Sequence, residues 1–357
     1  METRKLQKIG GSTYSVSLPK EWATEHHLEA GMPIHLYPHT DGSLVLRSAA
    51  QDGGPLSAAT VDLPPSNAAA EQRSTSGRSP TLDNTVERAL RAAHAVGYNT
   101  VALHPPEDAA FTADERRAAR RHAQTMVGLS VTEETTDRIV VENLLDASEV
   151  SIRQSVIQLQ FTTLSMHRTA VECVERPPAT DDPATDRLAD RDDEVDRLFE
   201  MITRHFNRSL TDFEEIDHLD VRRSELFDYY LVARQLERIA DHAVRIGSLA
   251  DRPDAPVDDD VFAEIAALGA ASREVVETAM TAVLEPSDDP AHEALDRRDA
   301  VADDIRTLDQ VLFERSPPDA YALSRILASL ARTADCGGNV ARVALRSSVR
   351  PEVSLPA

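Results

Sequence analysis

The chain has 357 residues, too many for one ordinary domain, so its length points to two or three units. With 61 Asp and Glu against 38 Lys and Arg, the formal net charge is -23. That balance excludes a protein that coats nucleic acid or anionic membrane with its whole surface, because the summed field repels phosphate. The cations are unevenly placed: Lys5, Lys8 and Lys20 are the only lysines, and every later cation is Arg. Residues 1–50 carry five cations and five anions, whereas residues 147–357 carry 24 cations against 42 anions, a net -18. An acidic, Arg-rich surface poor in aromatic residues fits a cytosol at high salt, where carboxylates keep a protein hydrated. Cys173 and Cys336 belong to no Cys-x-x-Cys pair, so neither a disulfide framework nor a zinc ribbon is indicated. No early apolar run reads as a signal peptide and none nears the ~18 residues that span a bilayer, so a cytoplasmic protein without membrane insertion is expected.

In chain order, Arg4 to Ile9 reads as a strand, Gly10-Gly11 as a turn, and Tyr14 to Leu18 as a second strand. Pro19 opens a short helix, Lys20 to His27, at a position where its missing N–H costs nothing. Ile34 to Tyr37 and Leu44 to Leu46, joined across Asp41-Gly42, read as a hairpin. A β-β-α-β-β unit of this size buries little core alone, and dimerisation is the expected remedy. Residues 51–80, rich in Ala, Ser, Gly and Pro, read as a linker, with one possible strand at Ala59 to Leu63.

A small α/β domain is expected over 81–146. It has a helix from about Asn84 to Val96, a strand Thr100 to Leu103, a helix opened by the capping box Thr112-x-x-Glu115, and strands near Leu129 to Thr132 and Ile139 to Leu144. After Asp146, long helical periods punctuated by proline predict six helices near 147–175, 185–207, 220–250, 258–284, 290–315 and 319–347. In the third, Val232, Leu236, Ile239, Ala243 and Ile246 follow a 4-3-4-3 spacing, which is a bundle stripe.

The six helices read as three used twice, over 147–252 and 253–357. Leu236-Glu237-Arg238-Ile239-Ala240-Asp241 aligns with Leu330-Ala331-Arg332-Thr333-Ala334-Asp335, and Arg191-Asp192-Asp193-Glu194-Val195-Asp196 parallels Arg298-Asp299-Ala300-Val301-Ala302-Asp303. Residues four apart share a helix face with Cβ atoms about 6 Å apart, so Asp192 with Asp196, and Glu237 with Asp241, can form two-carboxylate clamps. Four converging oxygen donors suit a hard or borderline cation such as Mg, Mn, Fe or Zn. Random placement of this many acids gives roughly ten acidic i,i+4 pairs, however. The helical period also turns Glu237, Asp241, Asp299 and Asp303 away from the apolar stripes, so a solvated acidic face explains them as well.

Asp192-Asp193-Glu194-Val195-Asp196-Arg197-Leu198 and Leu236-Glu237-Arg238-Ile239-Ala240-Asp241-His242-Ala243 resemble the signature stretches of the PhoU family of phosphate-uptake regulators. The resemblance implies tandem three-helix bundles with multinuclear iron or zinc clusters on the outer surface. The ligands it implies are Asp192, Asp196, Glu237 and Asp241 in the first repeat, and Asp299, Asp303, Asp335 and Asn339 in the second. Arg245 stands in the first repeat where that motif has Asn; in the second Ala331 stands where it has Glu, and that missing carboxylate leads to the expectation that the first cluster holds metal better.

The first fifty residues resemble the SpoVT/AbrB swapped-hairpin DNA-binding domain through Arg4-Lys5-Leu6-Gln7-Lys8-Ile9-Gly10-Gly11-Ser12, Ser17-Leu18-Pro19-Lys20-Glu21-Trp22 and Asp41-Gly42-Ser43-Leu44. That implies a β barrel interleaved from two chains. Its first twenty residues are net +3, with Arg4, Lys5, Lys8 and Lys20 placed to neutralise phosphates and Ser12, Tyr14 and Ser15 to donate hydrogen bonds. The order of the units resembles the PhoU-type regulators of halophilic archaea.

The expected protein is therefore mostly α and multidomain: a homodimeric, non-enzymatic regulator of phosphate uptake that binds DNA and senses a metal, a ligand or a partner. The partner classes implied are a phosphate ABC transporter ATPase subunit and a sensor kinase. The alternative is a bridging protein that regulates that transporter and kinase without touching DNA. A ferritin-like di-metal enzyme needs two Glu-x-x-His motifs, and Glu215-x-x-His218 is the one offered.

Overall fold

In this computed structural model the chain divides into two units, Met1–Gly54 and Pro55–Ser354. The structure describes residues 3–38, 43–47, 56–63, 82–107, 109–175, 184–212, 214–251, 258–285, 287–317 and 319–350. The expected Asp41-Gly42 turn, most of the 51–80 linker and the prolines at 177, 178, 253, 286, 318 and 351 lie outside the described residues.

The first unit holds strands β1 (Gln7–Ile9) and β2 (Thr13–Ser15), helix α1 (Lys20–Glu25), and strands β3 (His35–Pro38) and β4 (Leu44–Arg47). β1 pairs antiparallel with β2 through Lys8 opposite Tyr14, and β3 pairs with β4 through Leu36 opposite Leu46. Gly10 takes φ +68° in the first turn, a conformation that favours glycine. The two hairpins are separate two-stranded sheets, and among the described residues of this unit none is buried. Leu6, Ile9 and Leu36 are each more than half exposed. A unit this short does not enclose its own apolar side chains, and the expected barrel is not closed within the single chain.

The second unit begins with a mixed sheet flanked by two helices: β5 (Ala58–Asp62), α2 (Leu82–Val96), β6 (Thr100–His104), α3 (Ala113–Thr125), β7 (Leu129–Glu134) and β8 (Ile139–Asn143). The sheet order is β5-β6-β8-β7, with β5 parallel to β6 and the other neighbours antiparallel. The strand expected inside the linker is thus the sheet edge. Val86 and Leu90 of α2 and Ala119 and Ala123 of α3 cover Val101, Leu103, Ile139 and Val141 in one apolar cluster. The capping box at Thr112 is formed, with Thr112 Oγ1 accepting from Glu115 N at 3.3 Å and Thr112 N donating to Glu115 Oε2 at 2.8 Å.

Six long helices follow, with one short helix among them: α4 (Ile152–Glu175), α5 (Ala184–Ser209), the short α6 (Glu214–Leu219), α7 (Arg223–Ala250), α8 (Asp259–Leu284), α9 (Asp288–Arg315) and α10 (Ala320–Ser348). In the first repeat α7 packs on α4 and α5, and in the second α10 packs on α8 and α9. The repeats join through α7 against α10 and α4 against α8, so both share one continuous apolar core. Val232, Leu236, Ile239, Ala243 and Ile246 are fully buried, as the 4-3-4-3 stripe requires. The acidic stretch around 212–220 holds α6, whose Glu215, Ile216 and Leu219 are buried.

α10 approaches α8 so closely that a Cβ on Gly337 would lie 2.8 Å from Val275 Cγ1 and 3.0 Å from the Val276 backbone N. Gly337→Ala is expected to destabilise the bundle by about 1–3 kcal/mol in urea unfolding. Gly338→Ala, whose Cβ would meet only the Arg298 side chain at 3.4 Å, should change stability by less than about 1 kcal/mol in either direction. Equal losses in the two variants would refute the close-packing account.

Candidate functional site

Asp192 and Asp196 stand one turn apart on α5, and Glu237 and Asp241 one turn apart on the adjoining α7. The outward turn predicted by the stripe is observed, but burial is greater than for a fully solvated face: Asp192, Asp196 and Glu237 are half-buried and Asp241 is exposed. Burial, then the charges of Asp196, Asp241 and Asp193, pushes the Asp192 carboxyl up to about 6. Glu237 rises to about 7 through burial and then Asp241 and Asp196. Asp196 is raised by burial, opposed by Arg91, and raised further by Asp241 and Asp193. These influences cross from α5 to α7, so the structure brings the two acidic pairs within one electrostatic field. Among the described residues none of the four carboxylates takes a hydrogen bond or an ion pair.

The second repeat differs. Asp299 pairs with Arg298 Nε at 3.2 Å, and Asp335 lies 3.8 Å from Arg298 and 3.5 Å from Arg332. Asp303 is bonded by Arg306. Asn339 donates to Gln235 Oε1 at 3.1 Å and accepts from Arg342 at 3.0 Å. Each of these three aspartates therefore already has a guanidinium partner. In the first repeat the donor chemistry fits a cation, because four oxygen donors lack any bonded counter-charge. As placed, no three His, Cys, Asp or Glu side chains among the described residues form an arrangement that could hold a metal ion. Binding there requires the carboxylates to rotate toward a common point.

Two neighbours were not anticipated from the sequence. Glu200 continues the Asp192-Asp196 line by one more turn, a spacing visible in the sequence. Arg91 of α2 bonds to Glu200 and to Glu87. No local pattern could reveal it, since it comes from the α/β layer. Glu215 of Glu215-x-x-His218 is taken by His205 and Arg208, so it is not free as a ferritin-like ligand.

In the first unit, Arg4, Lys5, Lys8, Ser12, Tyr14 and Lys20 are exposed and Ser15 is half-buried. Lys8 lies opposite Tyr14, and Gln7 opposite Ser15, so one cation and two hydroxyls stand together on one hairpin. Trp22 is half-buried, its ring 5.1 Å from that of His26.

Fold and site define a multidomain, mostly helical protein with a cation-bearing pair of hairpins at its N-terminus and a carboxylate-lined helical bundle. Residues 156–250 match the model of the PhoU domain. Residues 7–53 match MazE, the bacterial antitoxin of antidote-toxin recognition. The crystal structure of PhoU from Pseudomonas aeruginosa is 17% identical, with a TM-score of 0.44, over 54% of this chain and 93% of that one. No curated protein sequence matches the chain. Among the described residues no helix is long and apolar enough to cross a membrane.

The raised Glu237 carboxyl makes a signed prediction. Below the ordinary carboxylate range the group is protonated folded or unfolded and contributes nothing. As pH rises from that range through about 7, folding must oppose its ionisation, and the penalty is complete above 7. Glu237→Gln should therefore melt roughly 2 °C above the parent at pH 8 in metal-free buffer, the gap closing by about pH 4. A variant less stable than the parent at pH 8 would contradict the unpaired-cluster geometry.

Proposed function

We propose that the chain is a cytoplasmic, homodimeric DNA-binding regulator of phosphate homeostasis, with its PhoU-type bundle receiving the signal. One observation carries this reading: a MazE-type match over residues 7–53, which holds Lys8 and Lys20 and begins two positions after Lys5, precedes a PhoU-domain match over 156–250 on the same chain. The cationic residues Arg4, Lys5, Lys8 and Lys20 neutralise backbone phosphates, and Ser12, Tyr14 and Ser15 add hydrogen bonds. A second chain covers the exposed Leu6, Ile9 and Leu36 in an interleaved barrel. An iron or zinc ion, when bound, supplies the positive charge that Asp192, Asp196, Glu237 and Asp241 lack. The bundle's partner classes are a phosphate transporter ATPase subunit and a sensor kinase. A signal alters DNA affinity only by binding two states of the protein unequally.

Salt titration of promoter binding tests the DNA interface. Lys5→Ala with Lys8→Ala should weaken binding uniformly across sequences and reduce the salt slope by about 0.9 for each phosphate that is no longer neutralised. Full affinity with an unchanged slope would remove DNA from the account. Deleting residues 1–54 separates the bridging alternative, which predicts that regulation of phosphate uptake persists. For the metal, Zn at saturation should raise the melting temperature of the parent chain and leave that of Asp192→Asn with Glu237→Gln nearly unmoved. Equal shifts in both would place the ion elsewhere.

A further inference from the structure

Where the α/β layer meets α5 and α6 there is a cavity of about 380 Å³, about two turns further along α5 than Asp196 of the carboxylate cluster. Asn99, Arg204, His205, Arg208 and Glu215 line its interior. His205 is fixed from one side, with Nδ1 lying 2.5 Å from Glu215 Oε1, while its Nε2 is buried and has no hydrogen-bond partner. The residue is only 2% exposed. An imidazole nitrogen left in this state loses the free energy of a hydrogen bond unless something enters beside it.

The charges around the cavity are also unevenly satisfied. Arg208 has two carboxylates, Glu215 Oε2 at 2.8 Å and Asp212 Oδ2 at 3.2 Å. Arg204, equally buried at 2% exposure, has none. Its guanidinium donates to His94 O at 3.3 Å, Tyr98 O at 2.9 Å and Asn99 Oδ1 at 3.1 Å, all uncharged. The carbonyl end of α2 offers it about half an elementary charge. Of its five N–H groups, the Nε–H and one terminal N–H remain unused among the described residues. Asn99 Oδ1 accepts from both arginines, which leaves its amide nitrogen as a donor. Of the acidic groups at the rim, Asp146 is exposed and its Oδ1 is occupied by Ser148 N and Oγ, and Glu142 is partly solvated. Water screens both more than it screens the interior cations.

We propose that this cavity is a binding site for a small oxyanion, a carboxylate or a phosphate group, held by Arg204 and His205 Nε2. With the anion bound, His205 bridges it to Glu215 as an imidazolium, donating from both nitrogens. A ligand with at least two oxygens on one centre can accept from the Arg204 guanidinium and from His205 Nε2 at once. The site uses no residue of the DNA interface or of the carboxylate cluster, although it shares α5 with that cluster.

Calorimetric titration of the full chain in chloride buffer, with inorganic phosphate and succinate as separate probes, tests the proposal. At least one should bind saturably at one site per chain. His205→Asn keeps an N–H donor for Glu215 and removes Nε2, so it should bind that probe at least roughly tenfold more weakly. Because the basic N-terminus also attracts anions, the [15N]histidine spectrum of the parent chain locates the event: the His205 Nε2 resonance should move along the same saturation curve. This second measurement decides the matter even where the Asn variant does not fold. Binding of neither probe, unchanged affinity in the variant, or a His205 signal that stays still while heat is released would overturn the site.

Discussion

The carbonyl end of α2 sets the arrangement of the second unit. A helix ends with four carbonyls that have no partner of their own. Three α5 side chains answer here: Arg204 bonds His94 O and Tyr98 O, Asn207 donates to Ala95 O at 2.7 Å, and Arg208 donates to Gly97 O at 2.8 Å. Their positions, i, i+3 and i+4, lie on one face of α5. Each buried carbonyl left without a donor would cost about 1–3 kcal/mol. The α/β layer therefore docks on the bundle by directional bonds, which fix register where an apolar contact would allow sliding. Gly97, with φ +107° just beyond α2, turns the chain at the point where Arg208 crosses it.

That docking reaches the acidic cluster along both helices. One end of α2 is capped by Arg204, Asn207 and Arg208. Further back, Arg91 bonds Glu200, one turn beyond Asp196 on the same α5. The α/β layer is thus tied to α5 at two points that bracket about two turns, and its Arg91 charge acts on Asp196. Any movement of α2 relative to α5 alters the field at the carboxylates, and any charge bound there pulls on Arg91. A physical link between the layer and the cluster follows from bonds on one helix face, with no need for a longer pathway.

The apolar periods of the long helices were legible because a stripe such as Val232-Leu236-Ile239-Ala243-Ile246 states its own burial. The Thr112 capping box was legible because its chemistry is local. Arg204 was not: a buried guanidinium reads as surface in any hydropathy pattern, and its acceptors Tyr98 and Asn99 lie over a hundred positions upstream. α6 was hidden for the same reason, since Glu215 is buried only because His205 and Arg208 meet it. The carboxylate spacing was visible at both repeats, yet it could not separate them. The difference lies in arginines whose reach depends on packing, above all Arg298, which lies over Gly338 of α10 and so extends toward Asp335. In the N-terminal unit the strand pairing was readable, but the single chain leaves the apolar Leu6, Ile9 and Leu36 exposed.

The contrast between the repeats also bears on what the charge of -23 does. Solvation accounts for scattered surface carboxylates, which water and salt stabilise one by one. It does not account for Asp192, Asp196 and Glu237, which are half-buried, repel one another and take no bonded cation although Arg197, Arg234 and Arg238 lie beside them in sequence. Selection for stability alone would pair or neutralise them, as Arg298, Arg306 and Arg332 do for the second repeat. Keeping them unpaired costs folding free energy at neutral pH, and such a cost persists where the negative charge itself is needed. The two repeats therefore differ in how they hold the same acidic pattern: half-buried and without a bonded cation in the first, paired with arginines in the second.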